Sequence, residues 1–291
     1  MFGVHVNKSR NKKVRTMSVA IKEEMKRLRD YGVKTPCAQI FVAGPRNYKL
    51  TVDAAEIARI RALGESITIH GAYVDKPWSG SDLAIDNIVG ELKVAYDMGA
   101  SGVVVHLGAA SATDKFIPAV RSITDRASKV CVGGIANANA GAVGGIAGAT
   151  PLLWLEVQAA KPAPHTFETP QKLNALFERL DGIGGIGLCI DTAHLFSCGM
   201  SLQTHEAAEE FFTQLRCPVP MMIHLNDSAS KLASGVDKHA AIGNGAIWSD
   251  DMSGLKYIID YAIKNKIQMY FERHDDDVCK DLKVLSTLGY V

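Results

Sequence analysis

The chain has 291 residues, of which 47% are hydrophobic and 22% are charged, and its formal net charge is +1. These values match soluble globular proteins and exclude a disordered, coiled-coil or collagen-like chain. Residues 1–50 hold twelve Lys or Arg against three acidic residues, so we expect a basic surface at one end of the molecule, suited to a polyanion or simply solvated.

Eight short apolar runs alternate with longer segments that have helical spacing. Apolar runs without polar alternation are typical of strands covered on both faces, and strand-helix alternation is typical of parallel β-α-β units. Eight such units predict an α/β fold, a closed (β/α)8 TIM barrel, with residues 1–291 as a single domain. The predicted strands span residues 2–6, 38–42, 67–70, 102–106, 152–156, 186–191, 221–225 and 268–272. The predicted helices span residues 19–31, 53–63, 81–98, 115–129, 169–180, 204–215 and 252–264.

Residues 131–155 carry no charge over about the length of a membrane-spanning helix. Six glycines in this stretch disfavour a lipid-facing helix. We interpret it as a Gly/Ala-rich connection that leads into a buried strand, with a membrane span as the alternative. The amino terminus places apolar residues before charged ones, the reverse of a secretory signal, and the six cysteines form no Cys-x-x-Cys pair. We therefore expect an intracellular protein with reduced thiols and no membrane association.

Six predicted strands end on, or within a residue of, a side chain that can bind a metal ion. The carboxyl ends of barrel strands meet on one face, where active sites are built. A single His or Glu at a strand end is more often structural, but six together are hard to obtain by chance. Burying three carboxylates and three imidazoles without a cation would cost several kcal/mol per ion. The six residues are His70, His106, Glu156, Asp191, His224 and Glu272.

Two further segments add candidate ligands. His194 follows Asp191 by three residues, just past a strand end, and Asp237 and His239 form an Asp-x-His pair. Residues i and i+2 of an extended segment share one face, so both can bind the same ion. At about four ligands per ion, with some carboxylates bridging, nine side chains predict two or three zinc ions.

These motifs resemble the endonuclease IV family of apurinic/apyrimidinic (AP) endonucleases, trinuclear-zinc barrels that incise DNA at abasic sites. The resemblance extends over nearly the whole chain and looks closest to the versions carried by large DNA viruses. The matching segments include QIFVAGPR at residues 39–46, HGAY at 70–73, GLCIDTAH at 187–194, HLNDS at 224–228 and DKH at 237–239.

The resemblance implies three zinc ions per chain and assigns their ligands. Glu156 would bridge the first two ions and serve as the catalytic residue. The loops at the top of the barrel would fill the gap left by a flipped abasic nucleotide, and the matching DNA-binding positions are Arg46, Tyr73 and Val74. The implied ligands are His70, His106 and Glu156 for the first ion, Glu156, Asp191, His224 and Glu272 for the second, and His194, Asp237 and His239 for the third.

The implied activity belongs to base excision DNA repair. It hydrolyses the phosphodiester on the 5′ side of an abasic site and leaves a 3′-hydroxyl and a 5′-deoxyribose phosphate. The same chemistry would support 3′-phosphodiesterase or 3′-to-5′ exonuclease activity. We expect a monomer that acts on double-stranded DNA with abasic sites, in the nucleus, the cytoplasm or, for a viral protein, the virion.

Two alternatives remain open from the residues. A sugar isomerase or epimerase with a similar barrel could hold one divalent ion on Glu156, Asp191, His224 and Glu272, but it would leave the other five ligands without a role. A protein that binds abasic DNA without cutting it is the second alternative. It is favoured only by the departure after Glu156, where the chain reads Val-Gln-Ala-Ala-Lys and the family usually reads Asn-Thr-Ala-Gly. The chain also has Gly-Asn-Gly at residues 243–245 where the family usually has Gly-Glu-Gly.

Overall fold

The structure is a computed structural model that describes residues 1–10, 13–74, 76, 79–108, 113–131, 150–162, 166–273 and 278–291. The strands are β1 (Phe2–His5), β2 (Ser9–Arg10), β3 (Lys13–Val14), β4 (Cys37–Ile40), β5 (Ser66–His70), β6 (Gly102–Leu107), β7 (Leu152–Val157), β8 (Ile186–Asp191), β9 (Met221–His224), β10 (Asp227–Ser228), β11 (His239–Ala240) and β12 (Gln268–Phe271). The helices are α1 (Met17–Asp30), α2 (Ala54–Ala62), α3 (Asp82–Met98), α4 (Thr113–Val130), α5 (Pro170–Arg179), α6 (Thr192–Ser197), α7 (His205–Gln214), α8 (Ser253–Lys264) and α9 (Val278–Thr287).

Eight strands close into a barrel in the order β1-β12-β9-β8-β7-β6-β5-β4. Every neighbouring pair is parallel, and β1 pairs with both β12 and β4, which closes the ring. The predicted (β/α)8 fold is therefore confirmed. All of these strands point their carboxyl ends toward the same rim of the barrel, which gathers the strand-end side chains.

Local sequence signals explain where the helices begin. The side chains of Thr16, Asp53, Thr169 and Thr204 each accept a hydrogen bond from a backbone N–H in the first turn of α1, α2, α5 and α7. Pro170 stands at the first position of α5, where a missing N–H costs nothing. Such caps satisfy donors that the helix itself leaves unpaired, so these helix starts follow from local sequence.

The sequence did not predict two of the helices, α6 and α9. The short helix α6 begins directly after β8, because Asp191 Oδ1 accepts a hydrogen bond 2.9 Å long from the backbone N of His194. Asp191 is thus the N-cap of α6 as well as a candidate ligand. This cap holds Asp191 and His194 in fixed positions relative to each other.

An apolar cluster fills the inside of the barrel below the functional rim, and we call it the interior plug. Its largest member, Trp154 on β7, faces Gly187, its register partner on β8. A Cβ at position 187 would overlap the Trp154 ring, so glycine makes room for tryptophan. The interior plug consists of Cys37, Val104, Trp154, Cys189, Met222 and Tyr270.

The uncharged stretch at residues 131–155 ends in the barrel. Leu152–Val157 forms β7, which is almost wholly buried, so the expectation of a buried strand is confirmed. Residues 132–149 lie outside the described residues, and the Gly/Ala-rich connection stays a prediction. No helix in the described part of the chain is long and apolar enough to cross a membrane. All six cysteines are free thiols.

Candidate metal centre

The residues predicted as metal ligands converge at the carboxyl ends of the barrel strands. Alternation along a strand places residues i and i+2 on the same face, and several ligands stand two positions after a residue of the interior plug. They therefore point into the barrel directly above the plug. Four overlapping groups have ligand atoms within 4.8 Å of one another. We call three of them the first, second and third group: His70, His106 and Glu156; Glu156, Asp191, His224 and Glu272; and Asp191, His194 and His239. The fourth consists of Glu156, His224 and the thiol of Cys189, a residue of the interior plug.

The Glu156 carboxylate lies between the first two groups. Glu156 Oε2 is 3.4 Å from His70 Nε2 and 3.1 Å from His106 Nε2, whereas Oε1 is 2.9 Å from His224 Nδ1. Glu156 is fully buried, and Oε2 has no hydrogen-bond partner among the described residues. Since a buried carboxylate oxygen without a hydrogen bond is costly, this oxygen suits a cation.

In the second group, three carboxylates surround the His224 imidazole. His224 Nδ1 lies 2.9 Å from Glu272 Oε2 and 4.0 Å from Asp191 Oδ2, in addition to its contact with Glu156. Asp191 Oδ2 also accepts a hydrogen bond of 2.7 Å from Asn226 Nδ2. One imidazole nitrogen thus meets three carboxylates, which is the donor set of a divalent cation rather than of an apolar core.

Asp237, the first residue of the Asp-x-His pair, lies against both histidines of the third group. Asp237 Oδ2 lies 3.4 Å from His194 Nε2, and Asp237 Oδ1 lies 3.1 Å from His239 Nε2. Asp191 Oδ2 is 3.6 Å from His239 Nε2, so Asp191 stands between the second and third groups. The side chain of Asp237 is 52% exposed, which opens this group to solvent while its two histidines stay largely covered.

Backbone carbonyls fix the protonated nitrogen in three of the histidines. The Nδ1 atoms of His70, His194 and His239 each lie 2.8 Å from a carbonyl oxygen, those of Gly71, Val157 and Glu272. A carbonyl only accepts, so each Nδ1 carries a proton, and Nε2 is the nitrogen that faces the cluster and would offer its lone pair to a metal ion. The buried Nε2 atoms of His194 and His239 have no hydrogen-bond partner in the described residues. These donor sets fit metal ions.

The charges in the metal-free cluster compensate one another. Burial opposes ionisation of Glu156, but His224 and His106 hold the pKa of its carboxyl well below the usual range. Burial likewise opposes protonation of His194, but Asp191, Asp237 and Glu156 raise its pKa well above the usual value. Glu156 and His194 are thus held in their charged forms by their neighbours in the cluster, and bound cations would replace the protons on the imidazoles.

Three residues that the sequence reasoning did not select also belong to the site. Gln39 and His5 lie at the ends of adjacent strands β4 and β1, and Gln39 contacts both His224 and Glu272. Asn226 links Asp191 to the backbone N of Glu272, which donates 2.9 Å to Asn226 Oδ1. The sequence held a signal for all three, because Gln39 and Asn226 stand within the QIFVAGPR and HLNDS segments and His5 is the next-to-last residue of the first apolar run.

The Gly-Asn-Gly departure lies in a loop that Asp227 organises. Its carboxylate accepts hydrogen bonds from the backbone N atoms of Gly243, Gly245 and Ile247, at 2.9, 3.1 and 3.0 Å. A Cβ at position 245 would collide with this carboxylate, and Gly243 has a φ of +78°. The two glycines are therefore required by the loop, whereas the residue between them does not take part in these contacts.

The predicted DNA-binding positions lie on the rim beside the first group. The Tyr73 ring is 42% exposed and stacks on His106 at a centroid distance of 5.3 Å, with its edge toward His70 at 5.2 Å. Its backbone N donates 2.8 Å to the carbonyl of Pro45, next to the exposed Arg46. Val74 follows and is half-buried. The structure brings these loops together, and their contact with DNA stays a prediction.

Comparison of the sequence with known proteins identifies viral and bacterial relatives that are named as endonucleases. The "Probable AP endonuclease" of African swine fever virus is 28% identical over 255 residues, which is 81% of this chain and 78% of the viral protein. The "Probable endonuclease 4" of Chlorobium phaeovibrioides is 36% identical over 115 residues, which is 38% of this chain and 40% of that protein.

Solved structures share the fold over almost the full chain. The crystal structure of AsfvAP:AG has a TM-score of 0.79 at 24% identity and covers 99% of this chain and 96% of its own. Endonuclease IV from Thermus thermophilus has a TM-score of 0.69 at 21% identity, with coverage of 98% and 97%. The family described as xylose isomerase-like TIM barrel matches residues 25–261. Because this match runs from α1 to α8 and confirms the resemblance seen in the motifs, the chain belongs to the AP endonuclease 2 family of xylose isomerase-like TIM barrels.

Proposed function

We propose that this protein is a zinc-dependent AP endonuclease that hydrolyses the phosphodiester on the 5′ side of an abasic site and leaves a 3′-hydroxyl and a 5′-deoxyribose phosphate. The observation that carries the proposal is the position of Glu156, whose two oxygens face two different groups of candidate ligands. The viral and bacterial relatives bear the names AP endonuclease and endonuclease 4, which supports the same substrate class.

Three zinc ions would be held by the nine side chains. Zinc lowers the pKa of a water ligand to near neutrality and stabilises charge on phosphate oxygens. Nitrogen and carboxylate donors suit zinc, and no cysteine is needed. The proposed sets are His70, His106 and Glu156 for the first ion, Glu156, Asp191, His224 and Glu272 for the second, and His194, Asp237 and His239 for the third.

Three features of the surrounding protein support the proposed metal centre. The interior plug seals the barrel below Glu156 and keeps water from that side, which strengthens every charge interaction above it. Carbonyl contacts hold His70, His194 and His239 in the orientation that a ligand needs. The exposed Asp237 leaves the third group open toward the solvent side, where a phosphodiester backbone can enter.

A cavity on the rim continues from the candidate metal centre toward the β1-α1 and β4-α2 loops. Its lining includes His5, Lys8, Phe41, Tyr73 and Glu272. A nucleotide must leave the duplex to bring its phosphate to such a recessed centre. An abasic nucleotide has no base to unstack, so its extrusion costs less than the few kcal/mol of a paired base. The depth of the centre would thus select for abasic sites.

The basic segment is divided between the rim and the outer surface. The half-buried Lys8 has its Nζ 3.4 Å from the carbonyl of Thr51 and so joins the β1-α1 and β4-α2 loops on the rim, where Arg46 and Lys49 are exposed. Lys26, by contrast, lies on α1 and pairs with Asp30. We therefore assign DNA contacts to the rim residues rather than to the whole basic segment.

The sugar isomerase alternative uses only the second group. The E. coli 3-keto-D-glucoside 4-epimerase has a TM-score of 0.59 at 12% identity and covers 100% of this chain and 99% of its own, which shows a shared fold and no more. One ion on the second group would leave Asp237 and the unpaired Nε2 atoms of His194 and His239 without a function. The arrangement therefore favours the multinuclear centre.

An incision assay tests the proposal. The zinc-loaded protein is incubated with a 5′-labelled duplex that contains one tetrahydrofuran abasic analogue, and the same duplex without the lesion serves as the control. We expect a single product cut on the 5′ side of the lesion, with a 3′-hydroxyl that a polymerase extends. Binding of the lesion without any cut would support the non-cleaving alternative, and an intact, unbound duplex would reject the proposal. The same assay on 3′-phosphoglycolate and matched 3′-hydroxyl ends measures the proposed 3′-phosphodiesterase and exonuclease activities.

A further inference from the structure

Gln39 occupies the same layer of the barrel as the candidate ligands. It stands two residues after Cys37 of the interior plug on β4, just as His224 stands two residues after Met222 on β9. Gln39 is fully buried, and a buried amide must find hydrogen-bond partners to offset its desolvation. The identity of those partners therefore indicates what the residue does.

The Gln39 amide contacts two of the proposed ligands of the second ion. Its Oε1 lies 2.9 Å from His224 Nε2, and its Nε2 donates a hydrogen bond to Glu272 Oε1. The same Nε2 lies 3.3 Å from His5 Nδ1 on the neighbouring strand. Gln39 thus connects an imidazole of β9 with a carboxylate that follows β12.

The Glu272 carboxylate determines the orientation of the Gln39 amide. A carboxylate that binds a metal ion only accepts hydrogen bonds, so the NH2 group of Gln39 must face Glu272. The reverse orientation would place the amide oxygen against the Glu272 oxygen. With the NH2 group on that side, the amide oxygen faces His224 and accepts its Nε2–H. The hydrogen-bond network therefore assigns both the amide orientation and the His224 tautomer.

This tautomer leaves Nδ1 of His224 for the metal ion. Nδ1 is the nitrogen that faces Glu156 Oε1 and Glu272 Oε2, each at 2.9 Å. His224 differs in this respect from His70, His194 and His239, whose Nδ1 atoms donate to backbone carbonyls and whose Nε2 atoms face the cluster. Among the described residues, the acceptor for Nε2 of His224 is the side chain of Gln39 rather than a backbone carbonyl.

We propose that Gln39 is a positioning residue that holds His224 in the Nδ1-ligating tautomer and orients Glu272, and so sets the affinity of the second zinc ion. This inference rests on the proposed metal centre. A histidine ligand usually donates its other ring N–H to a fixed partner, and loss of that partner weakens metal binding by about 10- to 100-fold. Gln39 would be this fixed partner for two ligands of the same ion, His224 and Glu272.

The test compares two variants of similar shape. Gln39→Met keeps most of the side-chain volume and removes both hydrogen bonds. Gln268→Met is the matched control, because Gln268 is a buried amide at the amino end of β12 in the same barrel. Its Nε2 donates a hydrogen bond of 2.8 Å to Ser66 Oγ at the amino end of β5. Zinc affinity is measured for each ion by competition with a chelator of known affinity. We expect Gln39→Met to bind one of its zinc ions about 10- to 100-fold more weakly, and Gln268→Met to match the wild type.

The outcomes separate the inference from the proposed function. Equal zinc affinities for Gln39→Met, Gln268→Met and the wild type would overturn the role of Gln39 and leave the metal centre standing. A wild-type chain that binds no zinc would reject the metal centre and the inference together. Where Gln39→Met does not fold, NMR of the 15N-histidine-labelled, zinc-loaded wild type decides, since we expect the proton of His224 on Nε2. A proton on Nδ1 would overturn the inference.

Discussion

His106 and Glu156 are register partners near the carboxyl ends of β6 and β7, and His106 Nε2 lies 3.1 Å from Glu156 Oε2. The pairing of parallel neighbours brings a histidine and a carboxylate to the same height in the barrel. Glu156 then reaches His224 with its other oxygen. One carboxylate between two groups of ligands is the feature on which the proposed chemistry depends.

Glu156→Gln should abolish incision and leave the fold largely intact. The change removes the charge shared by two proposed zinc sites, and the expected loss is at least ~10³-fold. Single-turnover incision of the tetrahydrofuran duplex measures it, with Glu56→Gln as the control. Glu56 is also buried, but it accepts a hydrogen bond from the backbone N of Ser18 outside the candidate metal centre. Near-normal incision by folded Glu156→Gln would remove Glu156 from its proposed role.

Asp237→Asn should reduce the zinc content by one ion per chain. Asp237 contacts both His194 and His239, and an amide is a much weaker zinc ligand than a carboxylate. Elemental analysis after dialysis gives the content, and Asp250→Asn, an exposed aspartate outside the centre, serves as the control. We expect about three ions in the wild type and in Asp250→Asn, and about two in Asp237→Asn. An unchanged content in Asp237→Asn would mean that Asp237 is not a ligand.

The metal-free protein should lose stability as the pH rises. Burial opposes protonation of His239, but Asp191 and Asp237 raise its pKa to about 9. This value exceeds the ~6.5 of an unfolded chain, so its contribution to the free energy of unfolding is complete below about pH 6.5 and is lost as the pH rises through about 9. Urea unfolding of the metal-free protein across this interval measures the slope, which His239→Gln should reduce.

Zinc binding should show the opposite dependence on pH. An imidazole must release its proton to bind zinc, so the affinity should increase over the pH interval in which the metal-free protein becomes less stable. Calorimetric titration in two buffers of different ionisation enthalpy counts the protons released. Binding of zinc without proton release would contradict the protonated state inferred for these histidines.

The Arg46→Ala, Tyr73→Ala double variant should lose incision of abasic duplexes. Base-aromatic stacking is worth ~1 to 3 kcal/mol, and ~1.4 kcal/mol corresponds to a ten-fold loss. Because the Tyr73 ring also packs on His70 and His106, the variant is compared on the duplex and on a minimal phosphodiester that needs no flipping. A loss of ten-fold or more on the duplex alone supports the DNA-contact role. Equal losses on both substrates would show that these side chains support the metal centre instead.

DNA binding should weaken steeply with salt. Each phosphate contacted by a cationic side chain contributes about −0.9 to the slope of log affinity against log salt. We expect Lys8→Ala to reduce the magnitude of this slope by about one contact, since Lys8 lies on the rim. Lys26→Ala, on α1 and paired with Asp30, is the matched control and should leave the slope unchanged. A flat salt response of the wild type would argue against nucleic acid as the substrate.

Local patterns in the sequence were sufficient for the fold and for most of the candidate site. Alternating apolar runs and helical segments predicted the eight barrel strands, and capping residues such as Thr169 mark helix starts. The positions of the candidate ligands at the rim could be predicted because a strand end is a local feature and barrel topology brings every strand end to one rim. The sequence analysis did not predict the helices α6 and α9. The helix α6 has only six residues and depends on the Asp191 cap.

Only the tertiary structure decided which atoms meet. Gln39 and His224 are 185 positions apart, and nothing local to either residue indicates that one amide would hold the other's imidazole. The placement of Asp191 between two groups and the choice of Nδ1 or Nε2 in each histidine likewise depend on contacts across the closed barrel. The physical reason is that strand periodicity sets the direction of a side chain, whereas its tautomer and its partners are set by the chain segments that fold against it.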